Sequence, residues 1–140
     1  MQSKKILIID DEIEIGEILH EIIGSFYSDV QFCSCPEVAL EKIKNETYDL
    51  ILTDVNMPKI PGLQLIKYLR GNGQITPIIL LTGFSDHNLV AAANELGVFD
   101  IIEKPFTAKG ILTVIENIFA SRKNEEIVSS NYPSNSFQRY

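Results

Sequence analysis

The sequence predicts an α/β fold: a single doubly wound, five-stranded parallel sheet with five helices in a three-layer sandwich. Three observations carry that prediction. Apolar runs of strand length alternate strictly with segments of helical periodicity, and the connections between them are short. Four of the runs also stop at polar or charged residues: Ile6-Leu7-Ile8-Ile9 at Asp10-Asp11, Ile51-Leu52-Thr53 at Asp54, Ile78-Ile79-Leu80-Leu81 at Thr82, and Ile101-Ile102 at Glu103-Lys104. A strand buried on both faces reads as a continuous apolar run, and strict alternation with short loops selects right-handed crossovers with helices on both faces.

Residues 4–9 read as the first strand, and Asp11 is placed to cap the helix that follows. Over residues 13–26, Ile15, Ile18, Leu19, Ile22 and Phe26 keep helical spacing, with Glu14, Glu17 and Glu21 on a solvated face. Residues 30–33 form a short second strand, and Pro36 stands at a first-turn position of a helix whose buried stripe is Val38, Ala39, Leu40 and Ile43. Residues 48–53 are the third strand. Two prolines and a glycine between Met57 and Gly62 require a loop, after which Leu65, Ile66 and Leu69 form the apolar side of a helix ended by Gly71-Asn72-Gly73. Residues 76–81 are the fourth strand, and a helix of Leu89, Ala92, Ala93 and Leu96 stops at Gly97. The fifth strand spans 99–102. Thr107 caps a last helix with Ile111, Val114, Ile115, Ile118 and Phe119 inward.

A chain of 140 residues with 45% hydrophobic content supports one sizeable core, so residues 1–122 read as one domain. From 123 to 140 periodicity is lost in polar, turn-rich sequence, which reads as a flexible tail or linker. A formal charge of -7 excludes a nucleic-acid footprint, which needs clustered Lys and Arg. No apolar run reaches membrane-spanning length, and the start passes into a strand without a cleavage site, so a cytoplasmic protein is expected. Cys33 and Cys35 supply too few ligands for structural zinc and read as two reduced thiols.

The flavodoxin-like strand order 2-1-3-4-5 follows most economically, because it sets the first and third strands side by side. Asp10, Asp11 and Asp54 then converge on one edge with Thr82 and Lys104. Three clustered carboxylates repel unless protonated or neutralised by a cation, and Mg²⁺ suits them because it takes oxygen ligands and keeps open positions. The backbone carbonyl of Asn56 is a further candidate ligand. An aspartate can also act as a nucleophile toward phosphorus, with Mg²⁺, an ammonium and a hydroxyl neutralising the phosphoryl oxygens. No histidine is needed as a base, and neither His20 nor His87 has a paired acid.

These residues resemble the receiver domain of bacterial two-component response regulators: Asp10-Asp11 after the first strand, Asp54 with Asn56-Met57-Pro58 and Gly62 after the third, Thr82 after the fourth, and Lys104-Pro105-Phe106 after the fifth. The resemblance covers residues 4 to about 121. It implies that Asp54 accepts a phosphoryl group from a sensor histidine kinase or histidine phosphotransfer protein. Asp10, Asp11, Asp54 and the Asn56 carbonyl would hold Mg²⁺, Thr82 and Lys104 would contact phosphoryl oxygens, and the Lys104–Pro105 peptide would be cis. It also implies a signalling module rather than a turnover enzyme. No effector domain fits in this chain, so output is expected through a downstream effector or self-association.

One position departs from the family pattern. Its switch pairs the threonine with an aromatic three residues before the lysine, and here Ile101 takes that place beside Thr82. An aliphatic side chain has no ring to swing, so weak or phosphorylation-independent switching is an alternative reading. The resemblance also implies that the positions of Asn56 and Phe84, two residues past Asp54 and Thr82, flank the path of attacking water; Phe84 cannot orient water by hydrogen bonding, so slow dephosphorylation is expected. An aspartate-nucleophile phosphatase is a further alternative, but Asn56 replaces the second carboxylate that such an enzyme needs. A nucleotide or flavin binder is opposed by the acidic first loop, Asp10-Asp11-Glu12.

Overall fold

The computed structural model describes residues 2–57 and 59–127, with side chains through residue 121. Its elements alternate as expected: β1 (Gln2–Ile9), α1 (Ile13–Gly24), β2 (Tyr27–Cys33), α2 (Pro36–Asn45), β3 (Leu50–Asp54), α3 (Gly62–Gly71), β4 (Ile78–Thr82), α4 (His87–Glu95), β5 (Asp100–Glu103) and α5 (Ala108–Ile127). All strand pairs are parallel and the order is β2-β1-β3-β4-β5. Strand bounds differ from the expected ones chiefly at the amino ends, where β2 begins at Tyr27 rather than at residue 30.

The two-residue period of the strands divides the core into two layers. Ile6, Ile8, Leu50, Leu52, Ile79 and Leu81 face α1 and α5, where Leu19, Ile23, Ile111 and Ile115 meet them. Leu7, Ile9, Ile51, Ile78 and Leu80 face the other way, against Ala39, Ile43, Leu65, Leu69 and Ala93 of α2, α3 and α4. Each such side chain contributes about 1.5–3 kcal/mol of burial, so the central strands cannot slip register cheaply. The pairing of Ile9 with Thr53 and of Asp54 with Leu81 fixes the relative heights of three strand ends.

Helix faces differ in detail from the sequence reading. Ile18 and Phe26 are exposed, and the buried side of α1 is Gly16, Leu19 and Ile23. Phe32 of β2 packs its ring into the space where Gly16 has no side chain, which seats the Gly16 side of α1 on the sheet. Phe26 lies past the end of α1, where its N–H closes the last turn on the Ile23 carbonyl. Val38 is likewise exposed, while Ala39 and Ile43 are buried. Thr107 does cap α5: its hydroxyl accepts from Gly110 N at 2.9 Å. Asp11 does not cap α1. Glu12 holds the N-cap position without a side-chain cap, and Asp10 Oδ1 accepts the Glu12 N–H instead. The backbone of α5 runs through Ile127, five residues into the segment read as a tail; residues 128–140 lie outside the described residues.

At the amino ends of β4 and β5, Arg70 gathers the loops. Its guanidinium donates to the carbonyls of Leu96 at 2.7 Å, Thr76 at 2.9 Å, Gln74 at 3.0 Å and Gly97 at 3.3 Å. Gly97 adopts φ +67°, a left-handed turn that ends α4 and that glycine enters without a Cβ penalty. This end of the sheet is thereby tied, and the carboxyl end carries Asp10, Asp54 and Lys104.

Candidate functional site

Asp10, Asp54 and Lys104 arrive at the carboxyl edge from three different strands. Asp10 follows β1, is fully buried, and hangs from the sheet by its N–H to the Cys33 carbonyl at 3.3 Å. Asp54 ends β3 with 4% exposure, and Asn56 N donates to its Oδ1 at 3.3 Å. Lys104 follows β5, its N–H bonded to the Thr82 carbonyl at 2.7 Å, and its peptide bond to Pro105 is cis. The ammonium lies 3.1 Å from Asp10 Oδ2, 3.4 Å from Asp54 Oδ2 and 3.4 Å from Glu12 Oε1. One cation thus bridges three carboxylates.

Close approach of backbone shapes the wall. Gly62, the first residue of α3, lies against the Asp54 carbonyl so tightly that a β-carbon there would overlap it. Its N–H donates to the Val55 carbonyl at 3.1 Å, which closes the loop between β3 and α3. That packing is the physical reason for the glycine in the motif.

Burial pushes the Asp54 carboxyl above its ordinary pKa, and the charge of Asp10 adds to that, while Lys104 and the Asn56 N–H pull the other way. For Lys104, burial alone would lower the pKa. The hydrogen bond and charge of Asp10, with Asp54 and Glu12 behind it, more than offset that and hold it above the usual lysine value. The pocket is therefore short of positive charge even with Lys104 in place. One oxygen each of Asp10, Glu12 and Asp54 lies within 4.8 Å of the others, a hard-donor set that fits a divalent cation such as Mg²⁺.

Two expected site residues are placed differently. Asp11 is half-buried and stands outside that group of three, whose third member is Glu12. The Thr82 hydroxyl is buried and engaged locally, donating to the Phe84 carbonyl at 2.8 Å and accepting from Phe84 N at 3.1 Å. Asn56 is exposed beside Asp54, and Ile101 is buried at 4% exposure on β5. Glu12 was not read as a site residue; three acids in succession after the first strand were its only sequence signal. Beside the pocket, Phe84, Ile101, Glu103, Phe106 and Val114 line a groove of about 900 Å³.

Fold and pocket together define a doubly wound α/β domain with a lysine-bridged acidic pocket beside its topological switch point. The chain belongs to the response regulator receiver domain family, which it matches over residues 6–116. It is a receiver domain of the two-component response regulator type. Over 136 residues it is 36% identical to the probable transcriptional regulator ycf27 of Porphyridium aerugineum, covering 97% of this chain and 55% of that protein. It is also 36% identical over 109 residues to the alkaline phosphatase synthesis transcriptional regulatory protein PhoP of Bacillus subtilis, covering 78% of this chain and 45% of PhoP. The chain thus spans about half the length of these relatives. Among solved structures, the N-terminal domain of an uncharacterized protein from Wolinella succinogenes superposes with a TM-score of 0.81 at 26% identity, over 88% of this chain and 99% of that one. The Vibrio cholerae chemotaxis protein CheY4 gives 0.77 at 27% identity, over 83% of this chain and 98% of that one. Among the described residues, no helix is long and apolar enough to cross a membrane.

Proposed function

We propose that this domain is the phosphoacceptor of a two-component phosphorelay, with Asp54 as the residue that carries the phosphoryl group. The observation that supports this best is the single ammonium of Lys104 held within 3.4 Å of both Asp10 and Asp54 at the ends of three strands. An Asp54 oxygen would bond to phosphorus as the phosphorus–nitrogen bond of a phosphohistidine breaks. The imidazole nitrogen keeps the bonding pair and takes a proton from solvent. Lys104 faces the charge that gathers on the phosphoryl oxygens, and the Thr82 hydroxyl reaches them by leaving its turn with Phe84. Asp10, Asp54 and the Asn56 carbonyl would hold Mg²⁺, with Asp11 turning in from its half-buried place outside the pocket, and the ion supplies further neutralisation when bound.

The donor in this reading is a sensor histidine kinase or a histidine phosphotransfer protein in the cytoplasm. The phosphorylated state is read by a downstream effector or a second copy of the domain, with no turnover of external substrates. Transcriptional regulators among the relatives make an effector that controls transcription the first to test. The decisive experiment is incubation with Mg²⁺ and acetyl phosphate followed by intact mass measurement. Gain of one phosphoryl group in the wild type and none in Asp54→Asn is expected; equal labelling of both proteins rejects Asp54 as the acceptor.

A further inference from the structure

Glu12 reaches the pocket from outside the sheet. Its side chain is 60% exposed, yet Oε1 stands 3.4 Å from Lys104 Nζ, as near as Asp54 Oδ2. Asp10 and Asp54 have side-chain exposures of 0% and 6% and are fixed by the strand ends. The exposed carboxylate is the one free to leave. A phosphoryl group on Asp54 would place fresh negative charge beside Lys104, draw the ammonium inward and repel Glu12.

We propose that Glu12 is a positioning residue, a latch that holds the Lys104 ammonium toward the pocket mouth until phosphoryl oxygens displace it. The inference rests on the reading of Asp54 as phosphoacceptor. Because the Glu12–Lys104 contact belongs to the unphosphorylated state, it stabilises that state, and removing it shifts the balance toward the phosphorylated one. Glu12 lies between Asp10 and the exposed Ile13 at the start of α1, so its release also changes the charge of that surface.

The test is calorimetric titration of the full chain with beryllofluoride, a phosphoryl stand-in, in excess Mg²⁺, using wild type, E12Q and E12D. Glutamine keeps the shape of the side chain without its charge, whereas aspartate keeps the charge and falls one methylene short of Lys104. Both variants are expected to bind about two- to fivefold more tightly, the range of a partly exposed ion pair. Tightening in E12Q with E12D equal to wild type would mean that charge at the mouth acts without the contact, and the latch is wrong. It is also wrong if neither variant tightens, or if E12Q instead loses Mg²⁺ affinity measured without beryllofluoride. Wild type that binds no beryllofluoride refutes the phosphoacceptor reading and takes the latch with it.

Discussion

Gly62 is packed directly against the backbone carbonyl of Asp54, with no room between them for a β-carbon. The first turn of α3 is thereby seated on the residue that the pocket is built around. Gly62→Ala must push that carbonyl or the helix aside, and overpacking against backbone costs about 1–3 kcal/mol. A lower urea midpoint and slower labelling by acetyl phosphate are expected together. Unchanged stability would show that α3 can shift without consequence.

Asp54 makes stability depend on pH in a definite direction. Its folded-state pKa lies above the ordinary 3.8, so its contribution is full below the unfolded pKa and is lost as pH rises through the folded one. At neutral pH with a chelator, Asp54→Asn is expected to unfold at higher urea than wild type. The gap narrows as pH falls toward the ordinary carboxylate range, and it narrows at neutral pH when Mg²⁺ is added. A variant less stable than wild type under chelation would contradict the assignment of burial as the dominant cause.

Phe84 is 74% exposed, and both its backbone N–H and its carbonyl are bonded to the Thr82 hydroxyl. Its ring offers a water molecule no hydrogen bond. Phosphoryl loss from Asp54 is expected to be slow, and Phe84→Glu to speed it severalfold in a decay followed by intact mass. Equal decay in the two proteins would remove Phe84 from the hydrolytic step.

Ile101 is packed in the same core cluster as Ala93, Val98 and the partly buried Leu89 and Val90. With no ring to exchange between exposed and buried positions, its neighbours on α4 have little reason to repack. Beryllofluoride is expected to move amide resonances strongly in the loops at the carboxyl edge and weakly along α4 and β5. Large shifts throughout α4 would show a different route of coupling.

Arg70 is a separate stability determinant. Arg70→Ala strands carbonyls of four residues in the two loops before β4 and β5, and a loss of about 2–4 kcal/mol is expected from hydrogen bonds with a charged donor. Arg70→Lys should recover little, because a single ammonium cannot reproduce the planar fork. Full rescue by lysine, read from urea unfolding, would mean that charge rather than geometry matters.

The strand order and the meeting of Asp10, Asp54 and Lys104 were legible because they follow from two strong rules: apolar runs become buried parallel strands, and their carboxyl ends share an edge. Side-chain facing on α1 was not. Spacing alone cannot register that Phe32, on the next strand, occupies the groove left by Gly16 and so brings a glycine into the buried side of the helix, while Ile18 is exposed. The same limit separates Asp11 from Glu12. Adjacent acids look equivalent in a string, but the chain takes one more extended residue before α1, and that turn sends Glu12 toward Lys104. The internal bonding of Thr82 with Phe84 depends on a local turn that no periodicity encodes.

Because Lys104 reaches Asp10, Glu12 and Asp54 from its own strand end, the domain brings a resident counter-charge to its most repulsive spot. Part of that repulsion is thus neutralised from within the chain, and a divalent ion adds to the neutralisation rather than supplying all of it. On the proposed reading, withdrawing magnesium is expected to stop labelling of Asp54 before it unfolds the chain, and restoring the ion to resume it.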